Sequence, residues 1–290
     1  MMFVHGNNLS KKESEYSSDP KLSEYLAQIR ERYNQWKDDN TKLIGPKSIS
    51  SDTDTSIIEE RVRLFNEYKD FIDQKVYAEA FDSRSNLHSS VLEEFCFYLF
   101  KDLVSSISAD ALIGKSHAFK DIFYNSKSYK DMVSMPSFLI EKKDHDFVIG
   151  VSIEANFRCN GSDQIQTETL KIPAVAIECK TYLDKTMLEG ASTAASQLLV
   201  VNPNAIYIVL SEWLKLTDDV NLKKFKVDQI YVLRKQKNTD RKYRLEPSYV
   251  KNPIYPDVVE NLFNMVRTHL TTDWNNSNSQ GLERGFLIQK

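Results

Sequence analysis

Hydrophobic positions follow a helical period in the first third of the chain and a strand period later on. Leu22, Leu26, Ile29, Tyr33 and Trp36 recur at spacings of three and four, the stripe of an amphipathic helix. Ile58, Val62, Phe65, Tyr68, Phe71 and Ile72 mark a second helix over about 57–80. Between them, residues 45–55 are rich in Gly, Pro, Ser and Asp and predict a linker. Ser90 and Glu93 form a capping box that opens an apolar helix ending near Leu103. The first 19 residues are polar and predict a poorly ordered segment.

From Asp146 the period changes to two. Phe147, Ile149, Val151 and Ile153 share one face, expected to be core, while Asp146, Val148, Gly150 and Ser152 share the other. Residues 172–180 repeat the arrangement, with Val175, Ile177 and Cys179 on one face and Ala174, Ala176, Glu178 and Lys180 on the other. A helix over about 184–199, strands over 205–210 and 227–234, and a helix over about 257–270 complete the pattern, and the polar residues after Thr271 predict no element. Helices interleaved with strands imply an α/β fold: a mixed sheet flanked by helices, preceded by a helical region.

Composition narrows the classes available. A hydrophobic share of 41% with 27% charged residues belongs to a globular chain. No apolar run approaches the roughly 20 residues that span a bilayer, and the N-terminus lacks the apolar core of a signal peptide, so the expectation is a cytoplasmic protein with no membrane partner. Cys96, Cys159 and Cys179 are odd in number and lack CxxC spacing, which predicts reduced thiols in packing positions. A net charge of −3 excludes holding nucleic acid by overall charge, so any such surface must be local.

The two strands carry the chemistry. Asp146 and Glu178 each project from a face of otherwise small residues, and paired carboxylates of this kind suit a hard cation such as Mg2+, which prefers oxygen ligands and retains water. Lys180 follows Glu178 on the same face, about 6.6 Å along the strand, where an ammonium can orient a water and steady a phosphate. The carbonyl of Cys179 is a further candidate ligand. Glu93, at the edge of its helix's apolar stripe, is the candidate third carboxylate in preference to Glu94, and Asp146 is preferred to Asp144, which precedes the regular alternation. His145 projects away and is expected to be structural or solvent-facing. Thr181 and Tyr182 are candidate DNA-phosphate donors or helix caps. Arg234, Lys235 and Lys237, continued by Arg241, Lys242 and Arg244, form a basic run after a strand and are assigned to DNA contact. Ser192, Thr193 and Ser196 lack a His-Asp partner set, which argues against nucleophilic hydrolysis.

Asp146, followed 32 positions later by Glu178-Cys179-Lys180, resembles the PD-(D/E)xK nuclease pattern, with His145 where the proline would stand. The strings around Glu93-Glu94, Asp144-His145-Asp146, Ile177-Glu178-Cys179-Lys180 and Asp228-Gln229-Ile230 resemble subunits of BbvCI-like heterodimeric Type II restriction endonucleases. That resemblance implies a restriction-endonuclease-like fold and Mg2+-dependent hydrolysis of double-stranded DNA at a short specific site. It implies action with a related second subunit, or as a homodimer. The rival readings are a structure-specific repair nuclease of the same fold and a DNA-binding subunit that cuts nothing. In segments, residues 20–84 are then a helical region for recognition or dimerisation, and 85–290 the nuclease domain.

Overall fold

The computed structural model describes residues 3–81, 86–237 and 248–274, with 282, 283 and 285. Helices α1 (Val4–Glu15), α2 (Pro20–Lys42), α3 (Asp54–Ile72), α4 (Lys75–Ala80) and α5 (Asn86–Ile107) precede the sheet. Strands β1 (Leu112–Tyr124), β2 (Phe138–Arg158), β3 (Ile165–Leu183), β4 (Ile206–Leu214) and β5 (Gln229–Val232) follow, with α6 (Tyr129–Ser134), α7 (Lys185–Val201) and α8 (Pro256–Thr271) between or after them. The five strands lie in sequence order in one sheet. The β1/β2 and β2/β3 pairs are antiparallel, whereas β3/β4 and β4/β5 are parallel. This is the mixed sheet expected from the sequence.

Local chemistry explains the helix starts. Asp19 caps α2 by accepting from Lys21 N and Leu22 N, both at 3.0 Å, and Pro20 occupies the first turn, where its missing N–H costs nothing. Asp184 caps α7 through Met187 N at 2.9 Å. The helix expected over 57–80 is instead two helices. Asp73 N and Gln74 N turn back to the Lys69 and Phe71 carbonyls and end α3, and Gln74 stands outside the helix that follows.

The N-terminal residues depart from expectation. Residues 4–15 are a helix whose first turn is held from outside, since His5 N and Gly6 N donate to Glu94 Oε2 at 2.9 and 3.1 Å. A carboxylate there satisfies the free amides of the first turn and its partial positive charge. Gly6 is required by proximity: a Cβ at that position would stand 2.3 Å from the Tyr33 hydroxyl.

Helices cover both sheet faces. One face contributes Phe147, Ile149, Val175, Ile177, Ile208 and Leu210 to a core shared with α1, α2, α3, α5 and α8. The other, with Ala176, Tyr207 and Val209, packs on α7. Cys96 and Cys179 are free thiols 3.9 Å apart inside the main core, as expected for packing positions. Among the described residues no helix is long and apolar enough to cross a membrane.

Strands β1 and β2 reach beyond this core, and β1 has no counterpart in the sequence-based expectation. The register shift between Phe119 and Asp121 puts an extra residue in β1 and breaks its alternation, whereas the shift between Gly114 and Ser116 puts the extra residue in β2, between His145 and Val148. Val151 and Ile153, expected to be core, are 46% and 44% exposed because β2 has there run past the helical layer. β2 also bends. The Phe138 and Phe157 rings, nineteen positions apart on this strand, lie 4.5 Å apart, whereas a straight strand would separate them by about 60 Å. A bulge between Ile149 and Gly150 sits mid-strand, and a Cβ on Gly150 would stand 2.2 Å from the Ile172 carbonyl oxygen.

Candidate active site

Sheet register builds the site. Phe147 pairs with Ile177 in the antiparallel β2/β3 ladder, which carries Asp146 to the level of Glu178. With Phe147 and Ile177 fixed in the main core, alternation sends both carboxylates to the α7 side of the sheet. Lys180 Nζ lies between them, 2.6 Å from Glu178 Oε1 and 3.4 Å from Asp146 Oδ2. Each carboxylate is held a second time: Cys179 N donates to Asp146 Oδ2 at 3.0 Å, and the Tyr207 hydroxyl donates to Glu178 Oε2 at 3.1 Å. The Cys179 side chain turns into the core, so only its main chain faces the site.

Glu93 enters from α5. Its Oε2 is 2.9 Å from Lys115 Nζ, and that ammonium is 3.9 Å from Asp146 Oδ1. Glu94, one position on, points away and accepts from Tyr33 and Tyr98 hydroxyls at 2.9 and 3.0 Å as well as from the first turn of α1. Glu93 rather than Glu94 is thus the carboxylate that α5 presents to Asp146. Asp144 is exposed and paired with His117, which separates it from the cluster.

Burial and charge set the protonation states. Burial, reinforced by Asp146, raises the Glu93 carboxyl to about 7, with Lys115 and Lys180 pulling the other way. Burial also raises Asp146, with Lys180 opposing and Glu178 adding to the rise. Glu178 is lowered, because Lys180 and the Tyr207 hydroxyl outweigh its burial. Burial acts to lower Lys180, but Asp146 and Glu178 together hold it above the ordinary lysine value, so it remains an ammonium. His145 does not project away: it is buried edge-on to the Tyr207 ring at 5.7 Å, beside the residue whose hydroxyl holds Glu178, and desolvation lowers its pKa.

Among the described residues no three acidic, histidine or cysteine side chains form a ready metal-binding group. The ammonium groups of Lys180 and Lys115 stand between the carboxylates instead. The donor chemistry nonetheless fits Mg2+, which is commonly bound through one or two carboxylates while keeping several waters. Asp146 and Glu178, already gathered around one cation, are such a pair.

The basic run needs correction. Arg234 is fully buried, pairs with Glu212 at 3.1 Å, donates to the Asn252 carbonyl at 2.7 Å, and lies 4.7 Å over the Trp213 ring. A guanidinium committed to a buried carboxylate cannot contact DNA. Lys235 and Lys237 are exposed and paired with Asp257 and Asp218. Thr181 and Tyr182 are half-buried just beyond Lys180, with Lys215 5.5 Å over the Tyr182 ring. Arg241, Lys242 and Arg244 lie outside the described residues. Two site residues were missed from the sequence. Lys115 lies on a strand whose period is broken by a bulge between Phe119 and Asp121, and Tyr207 was hidden as one polar tip in the apolar run Ala205-Ile206-Tyr207-Ile208-Val209-Leu210.

Two carboxylates and a lysine thus meet on adjoining strands of a mixed sheet, an arrangement that resembles the PD-(D/E)xK pattern. The family model for the Bpu10I restriction endonuclease matches residues 84–287, and the chain belongs to that family. Among solved structures the chain is similar to native BbvCI in a low-resolution A2B2 tetramer, with a TM-score of 0.69 and 18% identity over 93% of this chain and 97% of that one. No relative matches among the curated proteins.

Proposed function

We propose that the chain is one subunit of a Type II restriction endonuclease that hydrolyses double-stranded DNA at a short specific site with Mg2+, together with a related second subunit or a second copy of itself. The observation that carries this reading is the convergence of Asp146, Glu178 and Lys180 on one sheet face in a member of a restriction endonuclease family. Asp146 and Glu178 would hold the ion, with Glu93 and the Cys179 carbonyl as further candidate ligands. When bound, such an ion neutralises charge on the scissile phosphate and makes water a better nucleophile.

The chain's own residues supply position. Tyr207 fixes the Glu178 carboxylate, and Cys179 N fixes that of Asp146. Lys180, held protonated, acts as a donor that orients the attacking water and steadies the phosphate, not as a base. Glu93, paired with Lys115 at 2.9 Å, stands beside Asp146 as a further carboxylate for the metal shell.

Nicking of supercoiled plasmid in Mg2+ tests the assignment. Asp146→Ala, Glu178→Ala and Lys180→Ala should each lower the single-turnover rate by about 1,000-fold or more while leaving DNA binding in Ca2+ within a few fold. Undiminished cleavage by Glu178→Ala would sink the assignment. Discrete plasmid fragments favour restriction, and cutting confined to flaps or junctions favours a repair nuclease.

A further inference from the structure

The basic residues assigned from the sequence to DNA contact are paired, buried or outside the described residues, and a different set leads away from the active site. Six lysines and three acidic residues lie between Lys115 and Lys143, in a chain whose net charge is −3. The acids of this stretch are engaged locally. Glu141 pairs with Lys120, Asp121 accepts from Ile122 N at 2.7 Å, and Asp131 lies in the first turn of α6. Lys127, Lys130, Lys142 and Lys143 are exposed and hold no ion pair among the described residues.

Strand alternation sorts these lysines. Asp144 and Lys142 share one face of β2, but the register slips by one residue between His145 and Val148, so the link from Lys142 to the active site runs through β1 rather than along β2 to Asp146. Lys143 falls on the reverse. Phe119, the β1 partner of Lys142, leads back along the same ladder to His117 and Lys115, whose ammonium lies against Glu93. Beyond Lys142 the chain reaches the connection that carries Lys127 and Lys130.

The arm is held in place at its far end. Gln166 of β3 clamps the main chain of Phe138, accepting from its N–H at 2.9 Å and donating to its carbonyl at 2.7 Å. Ser162 Oγ donates to the Ser134 carbonyl at 2.8 Å, and the Phe138 ring packs on Tyr124 at 4.3 Å. Cations on a braced strand lose little conformational freedom on binding, which favours their use against a fixed row of phosphates.

We propose that the projecting part of the β1–β2 hairpin is a DNA arm, in which Lys142, Lys127 and Lys130 track the phosphate backbone outward from the scissile position. The proposal rests on the reading of the chain as a DNA-cutting restriction subunit and adds the surface by which it holds the duplex.

Binding of a random-sequence 40-base-pair duplex, followed by fluorescence anisotropy of the full chain in Ca2+ across a KCl series, tests it. K127Q/K130Q/K142Q should weaken binding by about 10- to 100-fold near 0.1 M salt and reduce the slope of log affinity on log salt by about 2 to 3. K143Q/K223Q/K224Q removes the same charge from the reverse face and from the turn before β5, and should stay within twofold of the unmodified chain. Equal losses in the two variants, or an unchanged slope in the first, would overturn the proposal. So would an unchanged slope accompanied by a lower sedimentation mass, which would make the arm a subunit contact presenting its exposed Tyr129, Met132 and Val133. Plasmid cleavage by the unmodified chain separates the two levels: if cleavage stands and the arm variant binds normally, only the arm assignment fails.

Discussion

Glu93 is a strained ionisable group of the site. Its ordinary value is 4.5 and its folded value about 7, raised first by burial and then by Asp146. Between those values the folded chain holds a proton that the unfolded chain has released, so stability falls as pH climbs through that window, and above about pH 7 the penalty is complete, on the order of 3 kcal/mol. Glu93→Gln removes the charge while keeping the shape. Its melting temperature minus that of the unmodified chain should therefore rise by a few degrees between pH 5 and pH 8, measured without divalent ion. A difference that stays flat across that range would show that Glu93 ionises without strain. Asp146, Glu178 and Lys180 were legible in the sequence because a period of two fixes the face of a strand residue once its apolar neighbours are placed. Arg234 was misread because a string does not tell an exposed arginine from one paired inside with Glu212.

At the scale of elements, α1 and α5 act as a pair. Glu94 takes two amides from the first turn of α1 through one oxygen and two tyrosine hydroxyls through the other, and Glu93 stands one position before it on the helix that serves the site. Glu94→Ala leaves the Tyr33 and Tyr98 hydroxyls and the α1 amides without this acceptor, a loss of about 3 kcal/mol. Hydrogen exchange should locate the damage: amides of residues 5–15 should exchange at least tenfold faster relative to those of β4. Full retained protection in α1 would mean that the helix is held by apolar packing alone. This helix was illegible in the sequence because its stability comes from a carboxylate 88 positions away, not from an apolar stripe of its own. The elements that were legible, α2, α3, α5, β3, α7, β4 and α8, carry their own periodicity in long runs, although α3 ends where Asp73 and Gln74 turn back on it, before the place the stripe alone implied.

At the scale of the molecule, the helical region and the nuclease sheet share one interior. Leu26 and Phe65 belong to the same buried cluster as Phe95, Phe147, Ile208 and Phe263, and the Phe65 and Phe95 rings stack at 4.2 Å. Charged contacts cross the same boundary, since Lys69 of α3 pairs with Glu212 of β4 at 3.0 Å with both side chains 1% exposed, and Asp54 pairs with Arg267 of α8. A division at residue 84 would expose part of that cluster and separate those charged pairs, so the helical region and the sheet are expected to unfold together. The sequence suggested the division because its pattern changes from helical to alternating near that point, and periodicity reports local structure without saying what each apolar face packs against. The expectation is a single cooperative transition in scanning calorimetry, with calorimetric and van't Hoff enthalpies equal. Leu26→Ala in α2, at a side chain 1% exposed, should lower that one transition by several degrees, consistent with a loss of about 2–5 kcal/mol, and should do so equally for helical signal and for tryptophan fluorescence. Two resolved transitions, with only the first moved by the substitution, would establish the N-terminal helices as an independent module and reopen a separate role for them in recognition or pairing.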